Sequence, residues 1–214
     1  MNRENARLHA VLLLVVTIAL LASAVAPFER LTWFMEVLPV LLVAPLLWLS
    51  RRRFPLTNLL YVLIALHALV LIAGGTWTYA RVPLGNWVQD AFDLARNPYD
   101  KLGHLFQGLV PAMAARELLL RHRIVIDRPF VTGLLSVCVA MAISAIYELI
   151  EWAVAVYLGQ GADDFLGTQG DQWDTQSDML MALIGSTLAM WLLSGVHARA
   201  IRRLSALRGS HSDS

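Results

Sequence analysis

Residues 8–27 read LHAVLLLVVTIALLASAVAP, a run without Asp, Glu, Lys or Arg. The hydrocarbon core of a bilayer is about 30 Å thick, and an α-helix needs roughly 20 apolar residues to cross it. The run is also longer than the roughly 7 to 15 apolar residues of a secretory signal peptide, although Ala22-Ser23-Ala24 resembles a cleavage site. We therefore expect a retained membrane anchor.

Five more apolar runs follow, at residues 33–50, 56–74, 101–120, 130–155 and 176–195. Only 15% of the 214 residues are charged, and the mean hydropathy is +0.59. A soluble domain must cover its surface with polar side chains, so this composition excludes one. The sequence predicts an all-α fold, with residues 1–214 forming a single transmembrane bundle of six helices.

Charge and cysteine content argue against nucleic-acid binding and against cysteine-based sites. The formal net charge is +1, which gives no basic surface for nucleic acid, so the partners that we expect are membrane lipids. Cys138 is the one cysteine of the chain, so an intramolecular disulfide and a cysteine metal cluster are both excluded.

Basic and acidic segments alternate between the predicted spans. The basic segments contain Arg3 and Arg7, Arg51 to Arg53, Arg121 to Arg128, and Arg199 to Arg208; the acidic ones contain Glu29, Asp90 to Asp100, and Asp163, Asp164, Asp171 and Asp174. The positive-inside rule places the basic segments in the cytoplasm. We therefore expect both termini to be cytoplasmic.

The loop before the fourth span has an amphipathic pattern. Its apolar residues recur at helical spacing and are Leu84, Trp87, Val88, Ala91, Phe92 and Ala95. This pattern predicts a short helix in the outer membrane interface that ends at Asn97-Pro98.

Ionisable residues gather where the fourth, fifth and sixth spans meet the outer face. They are Asp100, Lys101 and His104 on the fourth span, Glu148 and Glu151 on the fifth, and Asp171, Asp174 and Asp178 on the sixth. Their spacing puts each group on one helix face. Small residues such as Gly108, Ser144 and Gly185 share these faces, and small residues let transmembrane helices approach closely. We therefore expect the polar groups to point into the bundle.

The chemistry of this cluster is open between three classes of protein. In a metal-dependent enzyme that acts on a lipid or envelope intermediate, the ligands of a divalent ion such as Mg²⁺, Mn²⁺ or Zn²⁺ are His104, Glu148, Asp174 and Asp178. Glu151 is then the general base, and Lys101 holds an anionic head group.

The second class is a non-catalytic structural or binding protein, in which Asp178 serves as the capping-box partner of Thr175 and the glutamates form interhelical salt bridges. The third is a transporter or proton relay. The sequence argues against this third class, because it has no internal repeat and we expect the ionisable groups on one side of the membrane alone.

Three motifs carry a resemblance to known proteins. YDKLGHLFQG at 99–108, YELIEW at 147–152 and GDQWDTQSDM at 170–179 resemble the YjdF-like family of bacterial inner-membrane proteins. The resemblance covers nearly the whole chain and implies a multi-pass location in the inner membrane, but it implies no reaction.

VanZ-like membrane proteins are more distantly similar. Their pattern resembles Lys101, His104, Glu148, and Asp178 followed by Gly185, whereas Gln172 and Ala182 stand near positions where that pattern has arginine and asparagine. Members of that superfamily are linked to glycopeptide resistance, so the similarity implies chemistry at the cell envelope.

Overall fold

The computed structural model describes residues 3–125, 128–158 and 169–209, and the regular structure in these ranges is helical, as the sequence predicts. The helices are α1 (Arg3–Val25), α2 (Arg30–Ser50), α3 (Asn58–Trp77), α4 (Pro83–Phe92), α5 (Tyr99–Arg121), α6 (Pro129–Leu158), α7 (Asp174–Leu188) and α8 (Ser194–Gly209). A π-helical segment, Ala189–Leu193, joins α7 to α8. The last predicted span therefore lies in a helix that extends beyond residue 195 into the arginine-rich tail.

Five helical stretches of the described chain are long and apolar enough to cross a membrane. They are Glu4–Val25, Arg30–Ser50, Asn58–Trp77, Pro129–Tyr157 and Asp174–Ala206. The remaining predicted span is α5, which has 23 residues but carries charged side chains at both ends, among them Asp100, Lys101 and Glu117. Length and composition alone therefore support five spans and not six.

Helix α5 lies at the centre of the bundle, where it packs against α3, α6 and α7, most extensively against α7. A Cβ atom at Gly108 would overlap the carbonyl oxygen of Ala182, and one at Gly185 would overlap the carbonyl oxygen of Leu105. Both glycines are thus required by the close approach of the two backbones. The predicted helix contact through small residues is confirmed.

The first three helices form a unit around α3, which packs against both α1 and α2. Val37, Val40, Ala68 and Ile72 make its buried apolar cluster. This unit is not purely apolar, because α2 also buries Glu36, which is 3% exposed.

The basic segments meet at one end of the bundle. The Nδ2 atom of Asn58 donates to Oδ1 of Asn5 at 2.8 Å, which brings the starts of α1 and α3 together. Arg121 Nη1 donates to the carbonyl oxygen of Pro55 at 2.6 Å, which adds the end of α5. The acidic segments that are described lie at the opposite end; Asp163 and Asp164 lie outside the described residues.

Helix α4 is shorter than its pattern predicts. It ends at Phe92 because Asp93 adopts a left-handed conformation (φ 51°), so Ala95 is not helical. Leu84, Trp87 and Phe92 are exposed, whereas Gly85 is buried against Asn97. The apolar side of α4 thus points away from the protein, as a helix in a membrane interface requires.

Candidate functional site

Asn97 anchors the segment that leads into α5 and so positions the first polar group. Its buried side chain donates from Nδ2 to Asn86 Oδ1 at 2.7 Å and to the carbonyl oxygen of Val82 at 3.1 Å, while its Oδ1 accepts from Tyr99 N at 3.0 Å. Its backbone also exchanges two hydrogen bonds with the side chain of Gln169. The start of α5 is therefore tied both to α4 and to the segment before α7.

Lys101 connects α5 to α7 through several carboxylates. Its Nζ atom lies 2.6 Å from Asp178 Oδ1, 2.9 Å from Asp174 Oδ1 and 3.7 Å from Asp100 Oδ2. Trp173, the N-cap of α7, makes no side-chain cap bond. The interpretation of Asp178 as a helix-capping residue is therefore wrong, because its carboxylate binds a cation from another helix.

Arg96 adds a second cation to the start of α7. Its Nη1 atom lies 2.6 Å from Asp174 Oδ1, and its Nη2 atom lies 3.0 Å from Asp171 Oδ2. The Asp174 carboxylate, a predicted metal ligand, is thus contacted by both Arg96 and Lys101. Sequence reasoning missed Arg96, whose position at the end of an amphipathic segment resembles that of a solvated residue.

His104 lies at the centre of the cluster and is 6% exposed. Its Nδ1 atom is 2.9 Å from Gln107 Oε1 and 3.6 Å from Glu148 Oε1. Its Nε2 atom is 3.4 Å from Asp100 Oδ1 and 3.9 Å from Asp178 Oδ1. His104, Glu148 and Asp178 therefore share one pocket, as the spacing predicts.

Two groups of donor atoms around His104 are close enough to hold a metal ion. One comprises Asp100, His104 and Asp178, and the other comprises His104, Glu148 and Glu151; within each group one donor atom per residue lies within 4.8 Å of the others. Asp174 belongs to neither group. Asp100, which is not in the predicted ligand set, and Glu151, which is predicted as a general base, complete the two groups.

Two buried carboxylate oxygens of the cluster lack a hydrogen-bond partner among the described residues. They are Asp100 Oδ2 and Glu148 Oε1. A buried polar atom without a partner costs free energy, about 1–3 kcal/mol for a neutral group and more for a charged one. A bound cation would satisfy such atoms.

The comparisons with known proteins agree with the motifs. Residues 8–199 match the family described as "Predicted membrane protein (DUF2238)". The chain belongs to this DUF2238 family. It is also 55% identical over 196 residues to "Inner membrane protein YjdF" of Escherichia coli (strain K12). The aligned residues cover 92% of this chain and 93% of that protein. No solved structure matches the chain significantly.

These relationships confirm the YjdF-like resemblance. Together with the apolar helices, they identify this DUF2238 member as a multi-pass protein of the bacterial inner membrane.

Glu36 brings α2 into the site of this DUF2238 protein. Its Oε2 atom accepts a hydrogen bond from the hydroxyl of Tyr147 at 3.3 Å, and both residues line the same cavity as His104 and Glu151. Sequence reasoning missed Glu36, although a carboxylate inside an apolar span is itself a signal of function.

A second polar network lies at the opposite end of α5, around the fully buried Glu117. Its carboxylate accepts hydrogen bonds from Thr57 N at 2.9 Å, Thr57 Oγ1 at 2.7 Å, Arg121 Nη1 at 2.7 Å and His197 Nε2 at 2.8 Å. Arg116 Nη1 lies 3.2 Å from the other ring nitrogen of His197. The expectation that ionisable groups occupy only one side of the bundle is therefore wrong.

The Glu117 network differs from the His104 cluster in its hydrogen bonding. Each carboxylate oxygen of Glu117 has two donors. They come from the N-cap of α3, from α5 itself and from α8, so the network ties these three helices together. Such a satisfied network is typical of a structural contact.

Proposed function

We propose that this protein spans the inner membrane six times, with both termini in the cytoplasm, and that the His104 cluster lies near the outer face. The meeting of the basic segments at one end supports this orientation, because lysine and arginine favour the cytoplasmic side. Helix α5 is the sixth span in this arrangement. Its charged residues Asp100 and Glu117 are buried against other helices, so they avoid contact with lipid.

We further propose that the cluster is a divalent metal centre of an enzyme acting on a lipid or envelope intermediate. The observation that carries this proposal is the pair of donor groups that share His104, with buried oxygens of Asp100 and Glu148 that have no hydrogen-bond partner within the described ranges. Carboxylate oxygen and imidazole nitrogen are the ligands that Mg²⁺, Mn²⁺ and Zn²⁺ accept.

The charge balance of the cluster also favours a bound cation. The cationic side chains of the cluster are Arg96 and Lys101, and carboxylates would outnumber them even with His104 protonated. These carboxylates belong to Glu36, Asp100, Glu148, Glu151, Asp174 and Asp178. Carboxylates that share a buried site repel one another unless some are protonated or a cation neutralises them. A divalent ion offsets this repulsion without protonation.

The contacts of His104 define how it would bind the ion. Nδ1 donates to Gln107 Oε1, which leaves the lone pair on Nε2, and this atom faces Asp100 and Asp178. An outer partner that fixes the tautomer is a regular feature of histidine ligands.

The catalytic roles follow from the same geometry. Glu151 lies beside His104 and Glu148 and is the candidate general base. Lys101 keeps Asp174 and Asp178 in position and is the cation closest to the donor atoms, so it would attract the anionic part of a substrate.

Metal analysis of the detergent-purified protein tests the proposal. After loading with Mg²⁺, Mn²⁺ or Zn²⁺ and removal of excess ion, the wild type should retain metal, whereas Asp100→Asn and Asp178→Asn, which alter the carboxylates that face His104 Nε2, should lose it. Glu117→Gln is the matched control, because it alters a buried carboxylate at the other end of α5 and should keep the metal.

A thermal shift with each metal provides a second measurement that does not depend on retention during purification. Absence of both retained metal and any thermal shift in the wild type would exclude the enzyme proposal and favour a non-catalytic structural or binding protein. Proton-coupled flux in reconstituted vesicles would instead identify a transporter.

A further inference from the structure

An apolar cavity of about 530 Å³ leads away from the His104 cluster. Its lining includes Glu36, His104 and Glu151 at one end and His9 and Arg51 at the other. Glu36 lies within α2, and Arg51 is the C-cap of this helix, 15 positions further along the sequence. At 1.5 Å per residue, the two ends of the cavity are about 22 Å apart along the helix axis. The cavity therefore follows the long axis of the bundle and has a volume typical of a small-molecule site, about 300–1,000 Å³.

The cavity is bordered by α2, which packs along α3, and by α6. Pro39 and Val43 of α2 line one side, and Val139 and Ile143 of α6 line another. Val43, Val139 and Ile143 are also exposed. Exposed apolar side chains of α2 and α6 thus border the cavity, which suits the entry of a lipid chain from the bilayer.

The walls between the two ends are mostly apolar. Val40, Ala65, Ala68 and Ala115 are examples of the hydrocarbon lining, and His67 and Gln107 are polar. The Nε2 atom of His67 is buried and has no hydrogen-bond partner among residues that the structure describes. A hydrocarbon chain with a polar group near one end matches this pattern.

The polar group of such a ligand belongs at the His104 end. Asp100 lines the cavity there, and its Oδ2 atom is one of the acceptors without a hydrogen-bond partner in the described chain. At the other end the polar atoms are engaged. Arg51 stacks 4.0 Å from the centroid of Trp48 and donates to its carbonyl oxygen at 2.7 Å, while His9 Nε2 lies 2.9 Å from Asn58 Oδ1.

We propose that the cavity holds one hydrocarbon chain of a membrane lipid whose head group, with hydroxyl or ammonium donors, lies at Asp100 and His104. The head group should carry such donors because the carboxylates of Glu36, Asp100 and Glu151 line this end of the cavity, whereas Lys101, the cation that would attract an anionic group, does not line it. The claim that this lipid is the substrate of the metal centre rests on the proposed function. The claim that it binds in the cavity does not.

The test uses phosphatidylethanolamine with a photoactivatable diazirine in one acyl chain, incorporated into lipid nanodiscs with the full-length protein. After illumination, peptide mass spectrometry locates the crosslinks. We expect crosslinks on inner residues of α3 and α5, in addition to those on residues that face lipid.

Filling the cavity should remove the inner crosslinks. Ala68→Phe and Ala115→Leu place larger side chains in its wall, and each should reduce crosslinking to the inner residues several-fold. Ala22→Phe is the control, because Ala22 lies on the exposed side of α1. Thermal unfolding of each variant shows which of them remain folded, and only those are compared.

The proposal fails if the crosslinks lie only on outward-facing residues or if both filled variants match the wild type. Phosphatidic acid with the same photoactivatable chain tests the head group, and equal inner crosslinking by both lipids would overturn its assignment to the acidic end.

Metal content separates the lipid proposal from the metal-centre proposal. Asp178→Asn should lose metal and keep the inner crosslinks, whereas Ala68→Phe should keep metal and lose the inner crosslinks.

Discussion

Lys101 Nζ lies 2.6 Å from Asp178 Oδ1, although 77 residues separate them in the chain. The same ammonium group lies 2.9 Å from Asp174 Oδ1. One cation on α5 therefore holds two carboxylates on successive turns of α7, and the backbone contacts at Gly108 and Gly185 continue the same interface along the two helices. Ion pairs and close backbone packing thus both hold α5 against α7.

Replacement of Lys101 by methionine should destabilise the protein. Asp174 would keep Arg96, but Asp178 would lose its closest cation, and removal of one partner of a buried ion pair costs about 3–5 kcal/mol. Because Lys101 is partly exposed, we expect a smaller loss of about 2 kcal/mol, measured by thermal or denaturant unfolding in detergent.

Two further variants test the cause of this loss. Lys101→Arg should retain most of the stability, and Asp178→Asn should restore part of it in the Lys101→Met background. If Lys101→Met unfolds like the wild type, the ion pair does not stabilise the α5–α7 interface.

Gly185→Ala should weaken the same interface. The added Cβ would overlap the carbonyl oxygen of Leu105, which is backbone and cannot rotate away. Such overpacking typically costs about 1–3 kcal/mol. Gly195→Ala is the matched control, since no atom lies within 4 Å of a Cβ built there. Equal unfolding temperatures for the two variants would contradict the close contact of α5 and α7.

The sequence was sufficient for those features that depend on local hydropathy. The helix α1 that covers residues 8–25 of the run 8–27 is one such feature, because a run of apolar residues determines its own environment. The convergence of His104, Glu148 and Asp178 was also predictable, since each residue lies at the same end of its helix and shares a face with small residues.

Features that depend on the pairing of distant residues were not predictable. Glu36 lies within an apolar helix, and nothing in its neighbours indicates that Tyr147 is its partner. Glu117 lies near a basic helix end that resembles a solvated surface, and His197 is 80 residues away. Periodicity gives the face of each helix but does not say which helix is opposite.

Glu117→Gln should destabilise the protein without affecting the metal centre. A glutamine amide would place a donor nitrogen against Thr57, Arg121 or His197, which are all donors to the carboxylate. A buried hydrogen bond to a charged group contributes about 1.5–3 kcal/mol, so we expect a loss of this order in the free energy of unfolding.

Glu4→Gln provides the comparison for this change, since Glu4 is exposed and should tolerate the substitution. The result that opposes our interpretation is a Glu117→Gln protein of normal stability with lost metal, which would make the Glu117 network part of the functional site.

The orientation of the bundle can be tested by cysteine labelling in intact cells. In a Cys138→Ala background, a cysteine at Asp90 should react with a membrane-impermeant maleimide from outside, because Asp90 is exposed on α4. A cysteine at Arg52 should react only after permeabilisation, because it lies in the basic loop between α2 and α3. Gly161, a natural choice in the second outer loop, lies outside the described residues. Labelling of Arg52→Cys but not Asp90→Cys would invert the topology and place the His104 cluster at the cytoplasmic face.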